Sequence, residues 1–446
     1  MTTRTPERGG RREPPRPDPQ LRLRSAIPAL VTLPWLTPLG EWSAAEVEFR
    51  DVPVGPSRHL VRFVEAGDRL WALKELPVRV AEREYQGLRG IEERHIPAVK
   101  VAGLAVRPDS DDAVLITEYL EGSWQYRRLL LRIPLDEHRH RARLLDAVAS
   151  LLVDLHRRGV FWGDCSLANT LFKRDGQRLQ AYLVDAETTE VHESLSDGQR
   201  RADLAIVEEN IGGGMLDMAM RLGADERVVD QLLDEARSVP ERYEELWSVL
   251  HDQPTFSYAD RHEVVSRIRR LNDLGFAVDE VRLVQVAPGQ QEVRLNAVVT
   301  DRRFHADELR RLTGLDVGEG QATLLLNDLR GHAARRGRGA GPLAREDARA
   351  WLLEVFQPAL SVLRLALPDA QDLVQTYCDL LEIRWLMSEQ AGRDVGDEPA
   401  VLALTLGEAP RGSAAEMAVA EATTGALPVV VAGEDDDVPA SVSFLQ

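Results

Sequence analysis

The sequence predicts an α+β protein: a small antiparallel sheet with one helix set into it, then a mainly helical unit, then an additional α+β, mostly helical domain toward the C-terminus. Three observations carry that prediction. His59 to Leu76 reads as a hairpin, HLVRFVEA and RLWALKEL around the turn Gly67-Asp68, with alternating character on the second strand. Arg141 to Arg158 places Leu144, Leu145, Val148, Leu151, Leu152 and Leu155 on one helical stripe, with basic residues in the last turn and Gly159 as the stop. Beyond Pro254 and Tyr258 a new unit opens: a helix over Asp260 to Leu274, a strand pair VDEVRLVQV and EVRLNAVVT across APGQQ, and a helix near Ala306 to Leu312.

The remaining elements follow in order. With 446 residues, the chain has length for two or three domains, at roughly 100 to 200 residues each. Residues 1–24 hold seven arginines against three acids among prolines and glycines, which predicts a disordered Arg/Pro-rich arm. The apolar run Ile27 to Leu36 comes late, is short and contains Pro28 and Pro34, so it does not read as a secretory signal. A helix-favouring stretch runs from Val78 to about Arg94, and VKVAGLAVRP and DDAVLITEYL read as two further strands. After Gly122 the character changes. FWGDCSLAN is too irregular for a strand or helix and leads into a second hairpin, TLFK and QAYLVD, joined around Asp175-Gly176. Helical patterns fill the region beyond Arg200, through Trp247. A Gly/Arg-rich linker, GHAARRGRGAGP, precedes another helical run from Leu343, and the Ala/Gly/Pro-rich residues 406–446 with their EDDD are expected to be a disordered tail.

Composition excludes several classes of function. A net charge of −18 repels polyanions at long range, so neither nucleic acid nor an anionic membrane surface is an expected partner. No segment approaches the roughly 20 apolar residues of a membrane-spanning helix. Two cysteines, Cys165 and Cys378, give neither a disulfide framework nor a zinc pattern, which fits a cytoplasmic protein. Cys165 has no partner histidine at a recognisable spacing and reads as a small loop residue. Trp247, Trp351 and Trp385 read as core residues. Among 55 basic residues only Lys74, Lys100 and Lys173 are lysines, which draws the eye to what each of them does.

Lys74 lies on the second strand of the first hairpin, in WALKEL. Glu84, in the helix that follows, shares a face with Leu88 and Ile91, so it points toward the core side, where an unpaired carboxylate is costly. Glu82 lies on another face. Asp164 and Asn169 stand in D-x-x-x-x-N, and Asp185 ends YLVD. The strands of the second hairpin run antiparallel, so Asn169, just before the first, and Asp185, at the end of the second, meet at its open end beside the loop carrying Asp164. Phosphoryl transfer uses such a set: a cation on the nucleotide phosphates, oxygen ligands for magnesium, and a carboxylate that orients the accepting hydroxyl.

In order and spacing, residues Val52 to Leu222 resemble the protein-kinase-like superfamily. LHRRGVFWGDCSLANTLF resembles a kinase catalytic loop, which implies Asp164 as the base and Asn169 as a metal ligand. LVDAE resembles the strand end that supplies the second metal ligand, here Asp185, and Glu187 is implied as a further metal oxygen. VLITEYLEG is similar to the segment joining the two kinase lobes, which implies that the backbone of Glu118, Tyr119 and Leu120 meets the adenine of ATP. AEREYQGLRGIEERHIP resembles the lipopolysaccharide-kinase-like branch. With RIRRLNDLGFAVDEV and RWLMSEQAGRDV, the whole chain resembles an actinobacterial domain-of-unknown-function family with an N-terminal kinase-like module. The implied architecture is a bilobal protein-kinase-like fold, with an N-lobe at 25–120 and a C-lobe at 121–237, followed by a C-terminal α+β domain at 238–405. The implied activity is an ATP- and Mg2+-dependent transfer of phosphate to a hydroxyl acceptor.

The chain also departs from the kinase pattern. Trp162 stands where the catalytic motif has histidine, two positions before its aspartate. No G-x-G-x-x-G precedes Lys74, and Gly55 is the nearest glycine before the first strand. Ala186-Glu187 replaces Phe-Gly, and there is no long activation segment. Asp203 matches the aspartate that supports the catalytic loop from the following helix. These departures keep a second reading open, a nucleotide-binding pseudokinase or scaffold whose C-terminal domain engages a protein partner, and a third in which the nucleotidyl group is transferred instead.

Overall fold

The computed structural model describes residues 20–24, 27–52, 58–108, 110–126, 129, 138–257, 261–285, 292–338 and 341–417. Residues 1–19 of the expected arm, Gly55, Tyr258, the APGQQ connection and residues 418–446 of the expected tail lie outside these.

Six strands form one antiparallel sheet: β1 (Gln20–Leu23), β2 (Glu48–Arg50), β3 (Val61–Glu65), β4 (Leu70–Pro77), β5 (Val101–Val106) and β6 (Asp112–Glu118), in the order β1-β5-β6-β4-β3-β2. The β3–β4 turn holds both Gly67 and Asp68 at positive φ, the backbone a two-residue hairpin loop demands. The two-residue period of β4 sends Trp71 and Leu73 to one face and Ala72, Lys74 and Leu76 to the other. On the first face lie Leu30, in the short helix α1 (Pro28–Val31), and Trp35, Leu39, Trp42 and Val47 from the segment before β2. On the second lies helix α2 (Val78–Glu93), through Ala81, Tyr85, Leu88 and Ile91. Residues 20–24 correct the expectation of a disordered arm. QLRL alternates, and it pairs with the free edge of β5 beside Gly103, where a Cβ would stand 2.5 Å from the Arg22 carbonyl oxygen.

The second lobe combines a three-stranded sheet, β7 (Ser123–Gln125), β9 (Thr170–Asp175) and β10 (Arg178–Leu183), with α3 (His138–Arg157), α4 (Asp197–Arg221) and α5 (Glu226–His251). The short pair β8 (Val160–Phe161) and β11 (Glu190–Val191) lies beside them. All six leucines and valines of the α3 stripe are buried in one core with Val207, Ile211, Ala236, Val239 and Tyr243. Helix α5 runs through 237 and 238, where the sequence suggested a domain boundary. Its residues on both sides of that point pack into the lobe, because its apolar stripe continues unbroken past Pro240. The chain therefore has an α+β fold with an antiparallel-sheet lobe, a mainly helical lobe and an added α+β domain.

That added domain holds β12 (Thr255–Ser257), β13 (Val278–Gln285) and β14 (Glu292–Val299), with α6 (Arg261–Asp273) between β12 and β13. It continues with α7 (Phe304–Thr313), α8 (Glu319–Arg335), α9 (Arg345–Trp351), α10 (Gln357–Ala366), α11 (Leu373–Ala391) and α12 (Asp397–Leu406). A second core gathers Leu309, Leu325, Leu329, Trp351, Phe356 and Tyr377. Two expectations are corrected here. Gly331 to Arg335, read as linker, continue α8, whose apolar face buries Ala333. Residues 406–417, read as the start of a disordered tail, bury Ala414, Ala415 and Met417, and Glu382 accepts the backbone N–H groups of Ala414 and Ala415. Trp385, read as core, is 60% exposed.

The two halves meet through polar, buried contacts. Asp175, at the β9–β10 turn, accepts the backbone N–H groups of Gly320 at 2.8 Å and Gln321 at 2.9 Å, and so caps α8 from another domain. Gln375 holds both the N–H and the carbonyl of Gly176, and Arg174 pairs with Asp379. At the end of α3, Arg157 donates to the Val299 carbonyl and Arg158 pairs with Asp301.

Candidate active site

The site forms where β4, α2 and the open end of the β9–β10 hairpin converge. Lys74 faces α2 because it shares a strand face with Leu76, and nearly two turns into that helix stands Glu84, only 2% exposed. Lys74 Nζ donates to Glu84 Oε2 at 3.0 Å and to Asp185 Oδ2 at 2.7 Å. Burial disfavours the Lys74 ammonium, but the two carboxylates outweigh it and its pKa stands above the ordinary lysine value. Glu84 moves the same way. Burial, reinforced by Asp185 and Glu187, lifts its carboxyl to about 7 against the pull of Lys74. The two shifts differ in origin: burial leads at Glu84, with the neighbouring carboxylates adding to it, whereas at Lys74 those carboxylates overcome burial. Glu82, by contrast, sits at the surface against Arg22.

Carboxylate oxygens of Glu84, Asp185 and Glu187 lie within 4.8 Å of one another. Hard oxygen donors so gathered, with surplus negative charge, suit a hard divalent cation. The Glu187 N–H donates to Asp185 Oδ1 at 3.1 Å, which fixes the turn between them. Arg58 reaches Glu187 from the other side, at 3.7 Å.

Asp164 is held by two amides. Asn169 Nδ2 donates to its Oδ2 at 3.0 Å, and Asn210 Nδ2, from α4, donates to its Oδ1 at 3.3 Å. Asn169 adjoins Asp185 through the hairpin, since the Val184 N–H donates to the Asn169 carbonyl at 3.1 Å. The loop preceding Asp164 hangs on Asp203, fully buried, whose two oxygens accept the Trp162 N–H at 2.7 Å and the Gly163 N–H at 2.8 Å. Gly163 adopts φ 79°, and a Cβ there would meet the Thr188 carbonyl oxygen at 2.9 Å. Trp162 fills its place as an apolar wedge, fully buried, with its indole N–H unbonded among the described residues.

Between Asp185 and α4 the chain is short and pinned. The Thr188 hydroxyl donates to the Trp162 carbonyl at 2.8 Å, the Thr189 hydroxyl to the Ala186 carbonyl at 2.8 Å, and β11 pairs with β8. Ser196 and Gln199 then form a capping box on α4.

In the segment joining the lobes, the Glu118 N–H donates to the Lys100 carbonyl and the Tyr119 N–H to the Leu70 carbonyl, while the Leu120 carbonyl accepts from the Ser123 N–H. The Glu118 carboxylate lies 3.5 Å from Arg69.

The sequence reading passed over two residues. His156 bridges Asp203 at 3.0 Å and the Tyr243 hydroxyl at 2.9 Å, and Arg200 donates to that hydroxyl at 3.1 Å. A signal for His156 existed, since it follows Leu152 by one turn on the buried stripe. Tyr243 is 87 positions away from it and had none. Cys165 is buried, and burial pushes its thiol well above the ordinary range, which fits an inert packing residue.

Residues 67–213 match the lipopolysaccharide kinase (Kdo/WaaP) family, and residues 245–404 match a domain of unknown function, DUF4032. Curated proteins give no match. Among solved structures, the chain is similar to WaaP in complex with acyl carrier protein, at 18% identity, covering 49% of this chain and 87% of that chain, with a TM-score of 0.32. The site thus lies in the segment that matches the Kdo/WaaP lipopolysaccharide kinase family, and the segment that matches DUF4032 follows it in the same polypeptide.

Proposed function

We propose that this chain is a cytoplasmic ATP- and Mg2+-dependent phosphotransferase acting on a hydroxyl acceptor. The observation that carries the reading is Lys74, held between Glu84 and Asp185 at the hairpin end that also presents Asp164 and Asn169. In this reading Lys74 contacts the nucleotide phosphates, with Glu84 fixing its direction. Asp185, Glu187 and the Asn169 side-chain oxygen hold Mg2+, which when bound offsets charge on the phosphates. Asp164, steered by two amide donors, orients the acceptor hydroxyl and takes its proton. The N–H groups of Glu118 and Tyr119 are committed to the sheet, so in this segment the Leu120 N–H is the donor assigned to the adenine. Of the acceptor, the site specifies only a hydroxyl.

The test is Asp164→Asn in the full-length chain, assayed for phosphate release and transfer from ATP across sugar, lipid, metabolite and protein hydroxyls. Turnover is lost while ATP binding persists. Equal turnover in wild type and variant overturns the assignment. The buried Trp162 in place of histidine favours one other reading, a nucleotide-binding scaffold whose C-terminal domain engages a protein partner. Stabilisation by ATP with Mg2+ in a thermal-shift titration, without turnover on any acceptor, selects that reading.

A further inference from the structure

The connection from β2 to β3 is the segment that covers the nucleotide phosphates in a kinase-like site; its sequence carries no glycine-rich signature, and its residues 53–57 lie outside the described ones. What the sheet places there is a guanidinium. Val61 pairs with Lys74, and the Glu75 N–H donates to the Leu60 carbonyl at 2.9 Å, so the pairing reaches back to Leu60. Arg58, two residues earlier, therefore stands over the end of the sheet nearest Lys74. Its guanidinium lies 3.7 Å from Glu187 Oε1, beyond hydrogen-bond distance, with its side chain 85% exposed against 22% for Glu187. Glu187 belongs to the same carboxylate group as Asp185 and Glu84.

We propose that Arg58 is the phosphate-covering residue of this site. Its guanidinium leaves Glu187 for the terminal phosphates of a bound nucleoside triphosphate, and does with a side chain what a glycine-rich loop does with backbone N–H groups. The inference rests on the phosphotransferase reading above. An exposed, screened ion pair at this distance holds Arg58 only weakly. A guanidinium offers a planar fork that matches phosphate oxygens two at a time, which an ammonium does not. Lys74 from below and Arg58 from above then bracket the polyphosphate, while Glu84 keeps its bond to Lys74 and Asp185 and Glu187 stay with the metal.

The experiment is calorimetric titration of the full-length chain with ATP and Mg2+, and separately with adenosine, for wild type, Arg58→Ala and Arg58→Lys. Arg58→Ala weakens ATP binding by about 10- to 100-fold and leaves adenosine binding unchanged, while Arg58→Lys restores part of the loss. Unchanged ATP affinity in Arg58→Ala overturns the inference and leaves the phosphotransferase reading standing. An equal loss for ATP and adenosine also overturns it, because Arg58 then acts on the fold. A wild type that binds neither ligand overturns both.

Discussion

Asparagine at position 175 is the sharpest test of how the two halves are joined. The two oxygens of Asp175 accept the Gly320 and Gln321 N–H groups, and a Cβ at Gly320 would fall 2.1 Å from the Asp175 carbonyl oxygen, so the helix end sits directly on the turn. Burial raises the pKa of this carboxyl, while the two amide donors lower it. Asparagine keeps the volume but must turn Nδ2 toward one of the two donors. A protonated acid can swing its hydroxyl hydrogen away from an amide, whereas Nδ2 always presents hydrogens, so the mismatch arises whichever protonation state Asp175 holds. One hydrogen bond is lost and one buried N–H is left facing another donor, a loss of about 2 to 4 kcal/mol. A chain of several domains has no single unfolding free energy, so the assay is amide hydrogen exchange. Asp175→Asn should speed exchange in the first turn of α8 and around Gln375 by roughly 30- to 1000-fold, with the β3–β4 hairpin unaffected. Exchange at Gly320 and Gln321 equal to wild type refutes the reasoning.

Two further predictions follow from the same geometry. Lys74→Arg should lower nucleotide turnover by at least about ten-fold in a phosphate-release assay, because a planar guanidinium cannot meet Glu84, Asp185 and a phosphate as a compact ammonium does. Turnover at wild-type level counts against the role given to Lys74. The pKa of Glu235 is lowered: burial opposes this, and hydrogen bonds from Arg141, His138 and Gln231 outweigh it. A carboxylate with a depressed folded pKa contributes stability above its unfolded value, here 4.5, and loses it as pH falls through the folded one. Glu235→Gln should therefore flatten the acid side of a melting-temperature profile below that pH and leave its slope above pH 6 unchanged. Identical acid limbs would refute the assignment.

What the sequence could say depended on range. Local periodicity located the β3–β4 hairpin and α2, and it separated Glu84 from Glu82: one is 2% exposed against Lys74, the other lies at the surface against Arg22. Antiparallel pairing was enough to bring Asn169 beside the strand that leads to Asp185. Periodicity failed where composition misled. The arginines and prolines before Leu21 masked the alternation of QLRL, and the glycines and arginines after Leu329 masked the last turns of α8. Trp385 was assigned to the core because large aromatics usually are, yet its position on α11 faces solvent. The Asp175 cap left no trace at all, since its partners stand 145 and 146 positions away and a β-turn aspartate reads the same whether or not a helix rests on it.

The pinned stretch between Asp185 and α4 bears on how such a molecule can be controlled. The hydroxyls of Thr188 and Thr189 are already spent on the main-chain carbonyls of Trp162 and Ala186. A phosphate added to either would have to break the bond that shapes the loop, so covalent marking here would dismantle the site, where in a segment built to be marked it completes one. On the proposed reading, control at these two threonines is closed, and it falls instead to the supply of nucleotide and acceptor or to the domain that rests on the Asp175 turn.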